Sequence, residues 1–194
     1  MEDLSLHVLD IAENSIAAGA KHVEIRVQEN HRKDLLSIEI TDDGCGMRGD
    51  MLQKATDPFF TTRTTRRVGL GLSLFEQAAK AAGGEFKIVS SPGVGTKVTG
   101  VFQYSHVDRQ PLGDMEQTLL ALIVGNPQIE LTYLHQNDDS QVSFSTGEIQ
   151  AQLGDMPINS PQGISAVRKS LQKVREQVRN LASREVGAYA VGDH

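Results

Sequence analysis

Residues 35–47 read LLSIEITDDGCGM, and this stretch decides the fold. Leu36, Ile38, Ile40 and Asp42 share one face of a period-two strand, so the pattern that buries three aliphatic side chains also carries a carboxylate toward the core. A buried carboxylate needs a hydrogen-bond donor, and Gly44 and Gly46 allow the backbone and a donor to come close. Taken alone, Asp-Asp-Gly also reads as an ordinary turn, so its neighbours must choose.

On the N-terminal side, Leu4 to Ala17 places Leu4, Val8, Ile11 and Ala12 on one helical face, with Leu9 and Ile16 widening that arc. His7, Asp10, Glu13 and Asn14 fall opposite. Gly19 suits the end of this helix, and Val23, Ile25 and Val27 then alternate with polar residues as a half-buried strand does. A polar loop from Asn30 to Asp34 leads into the deciding strand. Beyond Met47 the pattern predicts a short polar helix, a lid-like loop, and a helix over Leu70 to Ala82 closed by Gly83-Gly84. Strands over Glu85 to Ser90 and Thr96 to Tyr104 follow, with Ser-Pro-Gly between them. The predicted order is αββ, loop, αββ.

Residues four apart on a helix sit nearly one above the other, so Asp10 and Asn14 project into the same space. An amide oxygen suits Mg, which keeps several waters and takes few protein ligands, and a nearby carboxylate can orient or deprotonate water. The pair also reads as a plain solvated helix face. An exocyclic amine such as that of adenine would supply the donor that Asp42 needs. Thr96 shares a face with Val98 and Phe102 behind the flexible Gly93-Val94-Gly95, from which it reaches the same place from the other side, or serves only as part of a hairpin. Between these lies DPFFTTRTTRRVGLGLS, residues 57–73, where Arg63, Arg66 and Arg67 cluster just before Gly69 and Gly71. Free backbone N–H groups, the positive end of the following helix and forked guanidinium groups make an anion site.

The order of these signals closely resembles the GHKL superfamily: Asn on a first helix, DxGxG after a strand, FFTTR, GLGL opening a helix, then GxGT in a hairpin. That superfamily includes sensor histidine kinases, anti-sigma-factor kinases, gyrase-type topoisomerases, MutL-type repair proteins and Hsp90 chaperones. The resemblance covers about the first 104 residues. It implies a two-layer α/β sandwich of the Bergerat type holding Mg-ATP. Asn14 would bind Mg, Asp42 would recognise adenine, and Gly44 and Gly46 would shape the base pocket, with Thr96 supporting Asp42 through a shared water. Arg63 and the backbone at Gly69 and Gly71 would contact phosphates, and Met47, Phe60, Thr62, Leu70 and Leu72 would complete the site. The stretch from DPFFTTR to GVGT looks most like histidine kinases, whereas AENSIAAGAKHVEI, residues 12–25, looks more like the MutL group.

There are three departures. Arg67 stands where histidine kinases commonly carry the first glycine of their second glycine box. None of the six histidines is followed by Glu or Asp as in that family's acceptor motif, and no acceptor helix is expected before a first helix that starts almost at Met1. Asp10 stands where hydrolysing members place a catalytic Glu and histidine kinases often place Asn, which makes it the candidate catalytic residue.

The chain has 194 residues, enough for one good core and a smaller second unit. We expect a histidine kinase-like ATP-binding domain over 1–106, a linker over 107–114 that contains Gln110-Pro111-Leu112-Gly113, and a small C-terminal α+β unit over 115–194. That unit reads as a helix near Met115 to Val124, a hairpin with arms near Ile129 to His135 and Gln141 to Ser145, and two further helices. Ile164, Val167, Leu171, Val174, Val178 and Leu181 form a short heptad seam, which either pairs two protomers as a homodimer or packs on the adjacent hairpin.

A net charge of −6 argues against nucleic acid or an anionic membrane as a bulk electrostatic partner. The longest apolar run, Leu119 to Val124, falls far short of the roughly 20 residues a bilayer requires, and a cytoplasmic protein is expected. A lone cysteine, Cys45, rules out an internal disulfide and a CxxC metal or redox site. The function expected is an ATPase or protein kinase module that acts on an unknown protein partner or phosphoacceptor through its C-terminal unit. The alternative is a non-catalytic ATP-gated switch.

Overall fold

The computed structural model describes residues 3–56 and 70–189, with side chains described for 3–56 and 71–180. Helix α1 (Leu4–Ala17) buries Leu4, Val8, Ile11 and Ala12 as its 3.6-residue period requires. Its first backbone N–H groups have no partner within the helix and no side-chain cap at Asp3. They donate instead to the segment after the sandwich: Leu4 N to Pro111 O at 2.9 Å and Ser5 N to Leu112 O at 2.8 Å. The stretch expected as a linker therefore also clamps the start of α1. Gly19, at φ +80°, ends the helix in a conformation that costs glycine little.

His7 departs from the expected polar face. It is buried, its Nε2 lies 3.0 Å from Gln110 Oε1, and its ring stands 5.8 Å from that of Phe75. A polar residue can occupy a core position once its polar atom finds a partner, here one 103 residues away.

Strands β1 (His22–Asn30) and β2 (Leu35–Asp42) pair antiparallel across a 3₁₀ turn at His31–Lys33, which Asn30 caps by accepting from Lys33 N. A four-residue helix α2 (Gly49–Leu52) follows, then α3 (Leu70–Ala81), β3 (Glu85–Ser91) and β4 (Gly95–Gln103). β4 inserts between β3 and β2, with Asp42 directly opposite Thr96. Phe75 of α3 is fully buried, 5.7 Å from the Phe102 ring and against Gly100, where any side chain would strike it. That contact fixes α3 over the sheet.

The second half, α4 (Met115–Gly125), β5 (Glu130–Asn137), β6 (Ser140–Ser145), α5 (Thr146–Leu153) and α6 (Pro161–Tyr189), follows the predicted order of elements. Its hairpin joins the first sheet: β5 lies parallel to β1, with Val23 opposite Leu131, Ile25 opposite Tyr133 and Val27 opposite His135. The result is one six-stranded sheet in the order β3-β4-β2-β1-β5-β6. Helices cover one face, which is the two-layer α/β sandwich that the resemblance implied. Arg26, Glu24, Lys97 and Glu39 pair along the other face, at 2.9 and 2.8 Å. α4 packs between α1 and α6, and Val167, Leu171 and Val174 of the heptad seam are spent within the chain against α4 and the β5-β6 hairpin. No helix among the described residues is long and apolar enough to cross a membrane.

Candidate functional site

Asp10 and Asn14 sit one turn apart on α1, both half-buried. Ser15, the residue after Asn14, faces inward and is buried. Its hydroxyl donates to Asp42 Oδ2 at 2.6 Å, so the end of β2 and the α1 turn that carries Asn14 are joined directly. The other oxygen of Asp42, Oδ1, accepts from Gly44 N at 2.9 Å and Thr96 N at 3.2 Å. A carboxylate offers about four acceptor positions, so these three donors leave one for a ligand. Thr96 thus supports Asp42 through its own amide. Its hydroxyl lies 2.9 Å from Ser90 Oγ, which in turn accepts from Met47 N at 2.8 Å.

The DDGCGM loop is strapped from both sides: Cys45 N donates to Ala18 O at 2.9 Å, and Gly93 N donates to Cys45 O at 2.8 Å. At Gly46, φ +65°, a side chain would collide with the Ser91 carbonyl, and at Gly95, φ +125°, with the backbone of Asp42. Gly44 lies so close that a Cβ would stand 3.0 Å from Asp42 Oδ1. The glycines let the backbone close around the Asp42 carboxylate.

The second acid of the pair has a different task. Asp43 Oδ1 accepts from Lys21 N and His22 N at 2.7 and 2.9 Å, and Oδ2 lies 2.7 Å from His22 Nδ1. Hydrogen bonds from the His22 amide and ring hold the Asp43 carboxyl down to about 2, and Asp43 in turn raises the His22 ring above its ordinary value. Asp43 fixes the start of β1 and faces away from Asp42, as strand parity demands.

Helix α3 opens against α1. A Cβ at Gly71 would stand 3.1 Å from Asp10 Cβ and 3.7 Å from Asn14 Nδ2. The first turn of α3, where free N–H groups and the positive end of the helix dipole lie, therefore borders the Asp10–Asn14 face. Leu72 is half-buried and packs on the core. The structure thus gathers Asp10, Asn14, Asp42, Gly44, Gly46, Met47, Gly71 and Thr96 at one end of the sheet. Phe60, Thr62, Arg63 and Gly69 lie outside the described residues, as do Arg66 and Arg67, and so does the side chain of Leu70.

Ser15 and Ser90 were missed in the sequence. Ser15 had a signal: it lies four residues after buried Ile11, so a small polar side chain there points inward and must find a partner. Ser90 had none, because its role depends on the Met47 loop crossing β3.

The donor set fits a nucleotide with a divalent cation: one open acceptor on a fixed carboxylate, an amide oxygen and a carboxylate on one helix face, and a glycine at the mouth of α3 where a side chain would crowd Asp10 and touch Asn14. No cluster of three or more acidic, histidine or cysteine side chains that could cage a metal alone occurs among the described residues.

Residues 2–106 match the family described as histidine kinase-, DNA gyrase B- and HSP90-like ATPase. The chain belongs to that family, and this part of it is an ATP-binding module of the GHKL type. Among similar proteins, the signal transduction histidine-protein kinase AtoS of Escherichia coli (strain K12) is 36% identical over 93 residues, 47% of this chain and 15% of that protein. Sensor protein kinase FleS of Pseudomonas aeruginosa is 38% identical over 92 residues, 47% of this chain and 23% of that protein. A putative sensor protein of Shewanella frigidimarina is 34% identical over 103 residues, 52% of this chain and 16% of that one. The chain thus spans less than a quarter of the length of each of these relatives. In fold, it is similar to the crystal structure of the N-terminal domain of a DNA repair protein, with a TM-score of 0.53 and 16% identity over 75% of this chain and 53% of that one.

Proposed function

We propose that this protein binds Mg-ATP at the Asp10–Asn14–Asp42 end of the sheet and either hydrolyses it or transfers its terminal phosphoryl group to a protein partner, in a signalling role. The observation that carries this reading is the Asp42 carboxylate, held by Ser15, Gly44 and Thr96 with one acceptor position left over. Bound Mg-ATP supplies the phosphoryl group. The open position on Asp42 takes the exocyclic amine of adenine, which guanine replaces with an acceptor oxygen. Met47 and the glycine backbone bound the base, Asn14 offers its amide oxygen to Mg, and the amides at the mouth of α3 face the phosphates. Asp10, beside Asn14 and Gly71, orients or deprotonates the attacking water or hydroxyl. In this reading residues 1–106 form the nucleotide unit and 107–114 the connection to a C-terminal unit, 115–194, that delivers the output.

Asp10→Asn tests the catalytic half of the proposal. The variant is expected to bind ATP as the parent does and to lose phosphate release or transfer, followed with radiolabelled ATP. Equal turnover in both proteins removes Asp10 from the mechanism. One sequence feature favours a second reading, an ATP-gated switch without turnover: Arg67 stands where a lid glycine is usual. Tight ATP binding with neither hydrolysis nor transfer by the parent protein would decide for the switch.

A further inference from the structure

A cavity of about 340 Å³ lies in the C-terminal half between α4, β5 and α6, away from the Asp10–Asp42 end of the sheet. Its volume falls within the range of small-molecule sites. Leu119, Leu171, Val174 and Val178 give it apolar walls, and two polar stations interrupt them. The first is Tyr133, whose hydroxyl lies 2.7 Å from His135 Nδ1, while His135 Nε2 lies 2.8 Å from Glu29 Oε1. An ionised Glu29 accepts only, so Nε2 donates to it; with the ring neutral, Nδ1 takes the tyrosine proton, and the Tyr133 oxygen keeps a lone pair for which the described residues offer no donor. The second is Glu116. Its Oε2 is sealed from solvent and has Arg175 Nη1 at 2.9 Å as an ion partner, yet makes no aligned hydrogen bond. Asp114, at the N-cap of α4, adds a further acid to the lining. The lining thus sets two acids, Asp114 and Glu116, against the one guanidinium of Arg175 in an apolar setting, with the Asp114 carboxylate also accepting from Gln117 N at 3.0 Å, and buried acceptors are costly until a donor reaches them.

We propose that this cavity is a binding site for a small apolar amine, an aromatic or branched aliphatic group carrying a protonated nitrogen. The apolar group fills the space between Leu119, Leu171 and Val174, and the ammonium donates to Glu116 with Arg175 displaced toward solvent, where that side chain is already 63% exposed. The occupant meets Leu112 and Gly113, which line the cavity, and it is the Leu112 carbonyl that receives the Ser5 amide at the start of α1. The site thus touches the segment that clamps the helix bearing Asp10 and Asn14, and stands clear of the nucleotide.

The test is calorimetric titration of the full chain with three probes of one shape, phenethylamine, 3-phenylpropionate and ethylbenzene, in the presence of a saturating non-hydrolysable ATP analogue. Phenethylamine is expected to bind at one site more tightly than the other two. Glu116→Gln should weaken it about tenfold, since a charge-assisted bond becomes a neutral one. Val178→Trp, at the half-buried edge, should abolish binding, with circular dichroism and thermal melting confirming that both variants fold. Absence of phenethylamine binding, a preference for the acid or the hydrocarbon, or unchanged affinity in the folded variants would each overturn the proposal.

Discussion

Replacing Asp42 with Asn separates its structural work from its binding work. The amide oxygen can keep the position of Oδ1, where Gly44 N and Thr96 N donate at 2.9 and 3.2 Å. The amide nitrogen then replaces Oδ2 beside the Ser15 hydroxyl, now 2.6 Å away. That contact survives if the hydroxyl reverses role, accepting from the amide and donating to the Ile11 carbonyl, which it already approaches at 3.3 Å. Three internal hydrogen bonds are therefore retained in number, although weaker, and we expect a stability loss of no more than about 1 kcal/mol. The ligand fares worse. The open acceptor position either loses its charge or becomes a donor facing the adenine amine, which costs on the order of 1.5–3 kcal/mol, about ten- to a hundredfold in affinity. Urea unfolding with an unchanged m-value and calorimetric titration with ATP measure the two effects. A folded Asn variant that binds ATP as tightly as the parent would refute the assignment of Asp42 to the base.

Other outcomes follow from the same geometry. Phe75→Ala should cost about 3–5 kcal/mol of stability, measured by denaturant unfolding, because that ring fills the space between Gly100 and Phe102 and anchors α3. Gly71→Ala should change the melting temperature little, since the helix-forming gain of alanine is offset by crowding, yet lower turnover, because its methyl group would sit 3.1 Å from Asp10 Cβ and push that side chain aside. Asp43 has a folded value of about 2 against 3.8 unfolded, so its stabilisation is complete above about pH 4 and is lost as pH falls toward 2. His22 is shifted the other way: its contribution is complete below about pH 6.5 and is lost as pH rises through the folded value. Asp43→Asn should therefore flatten the acid limb of a stability-against-pH curve and also reduce the loss that follows as pH rises through the folded His22 value, with Glu130 still holding that ring.

The first half of the fold was legible because each of its elements is marked locally. The parity of Leu36, Ile38, Ile40 and Asp42 placed the carboxylate, and Gly19, Gly44, Gly46 and Gly83 marked the turns that the backbone makes. His7 was not legible: a helical wheel assigns it to water, and only the tertiary contact with Gln110 and Phe75 reverses that. Nor was the union of the two halves. The β5 stripe of Leu131, Tyr133 and His135 carries the same period-two signal as any half-buried strand, and nothing local says that its partner is β1, more than a hundred residues earlier, in parallel register. At the site, Asp10, Asn14, Asp42 and Thr96 could be read from their own elements, whereas the Ser90–Met47 strap exists only once the loop has folded across β3.

The central claim is that the acid at the end of β2 faces a bound adenine. Titration of the protein with ATP and with GTP at equal Mg concentration, read by calorimetry, tests it most directly. The geometry predicts saturable one-to-one binding of ATP and at least tenfold weaker binding of GTP, because the guanine oxygen would meet the open acceptor of Asp42. Equal binding of the two nucleotides, or binding of neither, would contradict it.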